Sequence, residues 1–466
     1  MGRWLLLDCI CLLILASCQP GIPPVKGAEG IGDPYYPGLG NGGYKVRKYT
    51  IAMTIDPASG DVHATDTIEA DASEALSSFD LDFVGLTVDS ITINGSPAAY
   101  ARSGHELVIT PPGPLRSGGE FTVSIVYHGS PAPVSSAAIG REGITVGWSP
   151  AADAAINVMS EPDGASVWFP NNDHPRDKAA YRFEITVPKP WIVAATGTLV
   201  QTVDLGDQTK FIWVMEQPMA SYLASINVDK YTLKTLEGPH GIVVRSYFPP
   251  GYRESDISRF DKLPEMIGFL EGIYGPYPFK EYGVVIANPE NPACKPNGNA
   301  VETQTLSVHC SNPAMADERV IIHELAHQWF GDSVSLENWK DIWLKEGMAT
   351  YVEYMWLARD KDLATLTRVM KAQMIGYYPK TMTGAPPPDD LYRGEVYLGG
   401  ALVYHALRLK VGEEAFARII RTYLERYRYG NAGTDEFIAL AQEISGQDLK
   451  SFFDSWLYST DLPEMK

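Results

Sequence analysis

Val320-Ile321-Ile322-His323-Glu324-Leu325-Ala326-His327, with a further carboxylate in Trp343-Leu344-Lys345-Glu346-Gly347, is the stretch on which the fold and chemistry of this chain turn. Positions i and i+4 of a helix lie on one face. The HExxH spacing therefore points the imidazoles of His323 and His327 at one metal ion, with Glu324 beside them to handle a water. Between His327 and Glu346 lie eighteen residues, 328–345, enough to finish one helix, turn and begin a second whose inward face carries Glu346 to the same ion. Two His and one Glu leave a fourth tetrahedral position open, the arrangement of a catalytic zinc, one per chain, rather than a structural one.

A chance match on an amphipathic helix is the competing explanation, because short motifs have false positives. Its neighbours argue against it. Val320, Ile321, Ile322, Leu325 and Ala326 predict a buried helix, where two His and a Glu are costly without a partner such as a metal. The second helix, predicted over 342–357, repeats the pattern, with Glu346 set among Trp343, Leu344, Met348 and Tyr351.

A length of 466 residues predicts two or three domains. The net charge of −19 argues against nucleic acid or an anionic membrane surface as partner. At the N-terminus, Arg3 precedes an apolar run through Leu15 that is interrupted by Asp8. The run is shorter than the ~20 residues of a membrane-spanning helix and predicts a signal peptide over 1–17. Leu15-Ala16-Ser17-Cys18 resembles a bacterial lipobox, with Cys18 the lipidated first residue of the mature chain. An extracytoplasmic lipoprotein of a bacterial cell envelope follows, with plain secretion as the alternative; any membrane contact is through the lipid alone. Residues 18–43, rich in Pro and Gly, predict a flexible tether. Of five cysteines only Cys294 and Cys310 fall in the folded body, where a disulfide and two free thiols are both open.

From Tyr44 to Leu236 apolar residues alternate with polar ones, as in Tyr49, Ile51, Met53, Ile55 and in Phe121, Val123, Ile125, Tyr127, which predicts an antiparallel β domain over 44–236. From 237 to 466 helical spacing dominates, with helices predicted over 256–273, 316–330, 342–358, 363–374, 396–410, 413–427, 434–444 and 449–458. The fold class is α+β.

With these residues in view, the chain resembles the aminopeptidase-N-like zinc metallopeptidases, gluzincins with a β saddle domain and a thermolysin-like catalytic domain, in a short two-domain form covering about 44–465. The zinc motif has the family's spacing, and 340–349 looks like its second zinc segment, with Lys345 where Asn is usual. Asn299-Ala300-Val301-Glu302-Thr303 resembles the family's GAMEN signature, Val301 replacing Met and Thr303 replacing Asn. By that resemblance Glu302 binds the free α-amine of a peptide, and Glu161, in Ser160-Glu161-Pro162-Asp163-Gly164-Ala165, is a second anchor. Val396-Tyr397-Leu398-Gly399-Gly400 resembles the family's Tyr-x-Lys-Gly segment, Gly399 standing where Lys is common; it implies Tyr397 as the phenol that supports the oxyanion, with Tyr392 as competitor.

The resemblance implies peptide substrates with a free N-terminus. Glu324 acts as general base, and Thr350, one turn after Glu346, supports a ligand from behind. Three other classes compete: a thermolysin-type endopeptidase, a catalytically silent scaffold of the same fold, and an epoxide hydrolase, a side branch of the family.

If Cys18 carries the lipid, Cys18→Ala blocks processing or moves the protein from the membrane to the soluble fraction on cell fractionation. Equal partition of both forms would mean ordinary secretion.

Overall fold

The structure, a computed structural model, describes residues 23–140, 143–288, 291–294 and 299–465; the signal segment and Cys18 lie outside them. The first domain is built on an eight-stranded sheet. Its central strands are Ala179–Pro188, Tyr44–Asp56, Asp61–Ala72 and Glu120–Gly129, in that order. Period-two alternation buries Tyr49, Ile51, Met53 and Ile55 on one face of the second of these, as their spacing predicts. The sheet is antiparallel except where Ala179–Pro188 runs parallel to Tyr44–Asp56, with Tyr181 opposite Tyr49. Two four-stranded sheets complete the domain; one orders Gly147–Pro150, Ile156–Met159, Ile226–Asp229 and Ile192–Ala195 and leads into the segment carrying Glu161.

The second domain begins earlier than its sequence predicts. Thr232–Glu237 pairs antiparallel with Val243–Phe248, so it is the edge strand of the second domain's sheet and not the last strand of the first. That five-stranded sheet runs Thr232–Glu237, Val243–Phe248, Glu281–Ala287, Ser307–Cys310, Ala300–Val301. The helices are α1 (Glu254–Ile257), α2 (Leu263–Tyr274), α3 (Glu318–Ala326), α4 (Trp343–Leu357), α5 (Leu363–Met374), α6 (Gly400–Val411), α7 (Glu413–Arg426), α8 (Thr434–Ser445) and α9 (Lys450–Leu457). Five residues of π-helix, Glu395–Gly399, lead into α6. No helix of the described residues is long and apolar enough to cross a membrane.

α4 is apolar on most of its surface and is the core of this domain. Trp343, Leu344, Met348, Ala349, Tyr351, Val352 and Trp356 are all buried, each large side chain contributing about 1.5–3 kcal/mol. Gly347 and Gly400 let α4 and α6 touch: a Cβ on Gly347 would lie 2.6 Å from the Gly400 Cα. Cys294 and Cys310 form a disulfide, which resolves the choice between bridge and free thiols and ties the turn Pro292–Cys294 to the strand Ser307–Cys310.

The expected tether is not free over its described part. Val25–Lys26 pairs with Leu76–Asp82, the Tyr36 hydroxyl donates to the Pro388 carbonyl, and residues 23–43 form a strap across both domains. Composition failed here because one buried side chain anchors the segment. Asp33, 1% exposed, accepts from the amides of Tyr35 (2.7 Å), Tyr36 (3.0 Å) and Trp339 (2.9 Å), and its other contact is His174 Nε2 at 3.0 Å. Burial opposes its charge, but the bonds from His174, Trp339, Tyr36 and Tyr35 outweigh burial and hold the carboxyl at about 2.

A carboxyl depressed from 3.8 to about 2 stabilises the fold above pH ~4 and loses that contribution as pH falls through about 2. Asp33→Ala is therefore expected to cost about 3 kcal/mol at neutral pH and progressively less below pH ~4, read by denaturant unfolding. The same cost at pH 2 would show that the Asp33 charge is not what anchors the strap.

Candidate active site

α3 starts where Asp317 caps it by accepting from the Arg319 amide. Ile321, Ile322, Leu325 and Ala326 are buried, so the helix cannot turn its histidines elsewhere. The regular helix is shorter than predicted, ending at Ala326, but the His327 amide still bonds the His323 carbonyl at 3.3 Å. That last turn keeps the two imidazoles adjacent, their ring centroids 4.9 Å apart. Glu346, in the first turn of α4, brings Oε2 to 3.3 Å from His323 Nε2 and 3.5 Å from His327 Nε2.

Each imidazole is fixed from behind. His323 Nδ1 donates to Glu353 Oε1 at 2.9 Å, and His327 Nδ1 donates to the Phe330 carbonyl at 3.0 Å. Both Nε2 atoms are thereby left facing Glu346, the donor set and tautomers a divalent metal requires. Thr350 does not take the supporting place expected of it, since its buried hydroxyl makes no hydrogen bond among the described residues. Glu353 does, two turns after Glu346 on the same helix face; that i, i+7 spacing was the signal in the sequence.

The three donors open onto a cleft of about 270 Å³ that is also lined by Glu324, Glu161, Glu302 and Tyr397. Oxygens of Glu302 and Glu324 lie within 4.8 Å of each other and of a His327 nitrogen. Burial, reinforced by the like charges of Glu302 and Glu346 and only partly offset by His323, pushes the Glu324 carboxyl up to about 8. A bound dication would pull it back down.

Glu302, 2% exposed, follows the short strand Ala300–Val301. Gln328, next to His327, ties its backbone to the metal-site helix: Nε2 donates to the carbonyls of Glu302 (3.3 Å) and Thr303 (3.4 Å), and Oε1 accepts from the Thr305 amide at 2.7 Å. Glu161 arrives from the first domain. It meets Lys345 Nζ, which also lies 2.6 Å from Glu302 Oε1 and 2.7 Å from Glu346 Oε1. Burial disfavours the Lys345 ammonium, but Glu161, Glu302 and Glu346 more than offset it and hold Lys345 well above its ordinary value.

Tyr397 lies in the π-helical turn, its ring stacked on His323 at 6.1 Å between centroids. Gly399, where the family's Lys is missing, is packed tight: a Cβ there would lie 2.5 Å from Thr383 Oγ1. Tyr392 is half-buried near the same carboxylates but does not line the cleft as Tyr397 does.

The fold and the clustered His323, His327, Glu346 and Glu324 have the architecture of a two-domain metallopeptidase. Residues 45–223 match the Peptidase M1 N-terminal domain and residues 259–456 the Peptidase family M1 domain, so the chain belongs to peptidase family M1. It is 28% identical over 450 residues to aminopeptidase N of Streptomyces lividans, covering 88% of this chain and 50% of that one. It is 27% identical over 326 residues to glutamyl aminopeptidase of Bitis rhinoceros, covering 66% and 34%. The chain thus spans half or less of the length of these curated relatives. Among solved structures it is similar to the M1 zinc metallopeptidase of Deinococcus radiodurans, with a TM-score of 0.84, 28% identity, and 94% and 98% of the two chains covered. A variant of that enzyme bound to a Tyr-Ser-Ala substrate aligns with a TM-score of 0.85 at 28% identity, covering 94% and 99%.

Glu353 stands in the wall of the cleft, and its hydrogen bond goes to His323 Nδ1. Glu353→Ala is expected to weaken metal affinity by about 10–100-fold, measured by competition with a chromogenic chelator. Unchanged affinity would make Glu353 a bystander.

Proposed function

We propose that this chain is a zinc aminopeptidase that removes N-terminal residues from peptides, with one zinc per chain held by His323, His327 and Glu346. We further propose an extracytoplasmic location on a lipid attached at Cys18. The observation that carries the activity is the placing of Glu302 and Glu161 against the ligand Glu346, oxygens of all three lying within 4.8 Å of one another. Carboxylates at that point hold an α-ammonium one residue away from the bond to be cut.

The donor set fits zinc: two imidazoles with fixed tautomers and one carboxylate, converging on a cleft that a water can reach. Zinc, when bound, polarises the scissile carbonyl and lowers the pKa of a water to about 7. Glu324 takes a proton from the attacking water and passes it to the leaving amine. The Tyr397 phenol donates to the oxyanion as the carbonyl becomes tetrahedral, a contribution typically worth ~3–4 kcal/mol. Glu302 and Glu161 hold the substrate ammonium by charge-assisted hydrogen bonds of about 1.5–3 kcal/mol.

The test compares kcat/KM for the free and N-acetylated forms of one peptide, in wild type and in Glu302→Ala, with chelation and zinc add-back as the metal control. Wild type is expected to prefer the free form by at least ~10-fold, Glu302→Ala to lose most of that preference, and the chelated enzyme to be silent until zinc is restored. Equal cleavage of both forms would instead identify a thermolysin-type endopeptidase.

A further inference from the structure

Lys345 stands next to the ligand Glu346 in the chain, so its backbone is placed by the first turn of α4. Its side chain is 1% exposed. The stem lies over Gly331, where a Cβ would come 3.4 Å from Lys345 Cδ, and the ammonium lies 5.9 Å from the centre of the Tyr222 ring. An ammonium has three hydrogens. Here it has three carboxylate partners from three separate segments: Oε1 of Glu161, of Glu302 and of Glu346. The carboxylates line the cleft and Lys345 stands behind them.

Three carboxylates converging within 4.8 Å with little exposed surface repel one another strongly. Without a cation among them, the two anchors would separate or swing towards water, and the distance from metal to anchor would no longer be set. A neutral amide at this position would offer two donors and no charge. Lys345 supplies the charge, with hydrogen bonds to Glu161 and Glu302 and an ion pair to Glu346. It contacts one oxygen of each carboxylate, and Glu346 keeps its other oxygen for the histidine side.

We propose that Lys345 is the specificity-determining positioning residue of the amine subsite. It locks Glu161 and Glu302 to a metal ligand and leaves the second oxygen of each anchor for the α-ammonium of a peptide. Metal and amine anchors are then held by adjacent residues of one helix turn, which fixes the length of the piece removed at one residue. This inference rests on the aminopeptidase reading above.

The experiment measures kcat and KM for the free and N-acetylated forms of one tetrapeptide in wild type, Lys345→Met, Lys345→Gln, Glu161→Ala and the double variant Lys345→Met/Glu161→Ala, with bound zinc determined in each. For Lys345→Met the KM of the free peptide is expected to rise by about 10–100-fold, with kcat and the acetylated peptide affected far less. Lys345→Gln should fall between, because its amide keeps part of the hydrogen bonding. The double variant should be little worse than Lys345→Met alone, since Lys345 acts through Glu161 and Glu302. If Lys345→Met does not fold, the Lys345→Gln ratio decides.

Retention of the wild-type preference in both Lys345 variants overturns the proposal, as does an equal loss on both peptides, which would mark a purely structural ion cluster. Loss of zinc would assign Lys345 to holding Glu346 instead. A wild type without preference for the free peptide fails at an earlier step: it removes the aminopeptidase reading, and this inference with it.

Discussion

Four carboxylates share one buried cleft, and the rest of the structure answers to the need to neutralise them. Glu161, Glu302, Glu324 and Glu346 are each almost wholly out of solvent. Charges in such a place persist only when paired. On one side the carboxylates face His323 and His327, the proposed metal donors; on the other they are paired with Lys345. Lys345 backs the carboxylate layer, and the proposed metal would face it from the histidine side.

Bringing that layer together takes three distant segments, and each is pinned by contacts that cross between elements. Gln328 holds the backbone of Glu302 to the turn after α3. Lys178 Nζ donates to the carbonyls of Asp332 at 2.8 Å and Ser333 at 3.1 Å, and Arg176 bonds the Glu337 carbonyl and Asn338, so the first domain grips the loop between α3 and α4. Asp33 closes the same junction from the strap. Because Glu161 comes from the first domain and His323, His327 and Glu346 from the second, the relative position of the domains is part of the geometry of the cleft.

Much of this was legible before any coordinates. Helices α3 through α9 lie where the 3.6-residue spacing of apolar side chains puts them, and the central strands where the spacing is two, because burial of one face is a local, periodic demand. The convergence of His323, His327 and Glu346 follows from i, i+4 geometry on one helix and an inward face on the next. What escaped was decided by contacts that follow no period along the chain. Asp33 turned a Pro- and Gly-rich stretch into a strap, Thr232–Glu237 joined the second sheet by pairing with its neighbour, and Glu353 rather than Thr350 came to support His323.

Lys345 marks the same boundary most sharply. The sequence by itself determined that a lysine stands beside the second metal segment, and it determined the helix that carries it, since both depend on neighbours along the chain. Only the tertiary structure decided that this ammonium would meet Glu161, 184 positions away, and Glu302, 43 positions away. The physical reason is that ion pairing in a buried cleft depends on distance through space. A buried charge finds its partner where the packed elements leave room, and no local pattern in the chain records which carboxylates those will be.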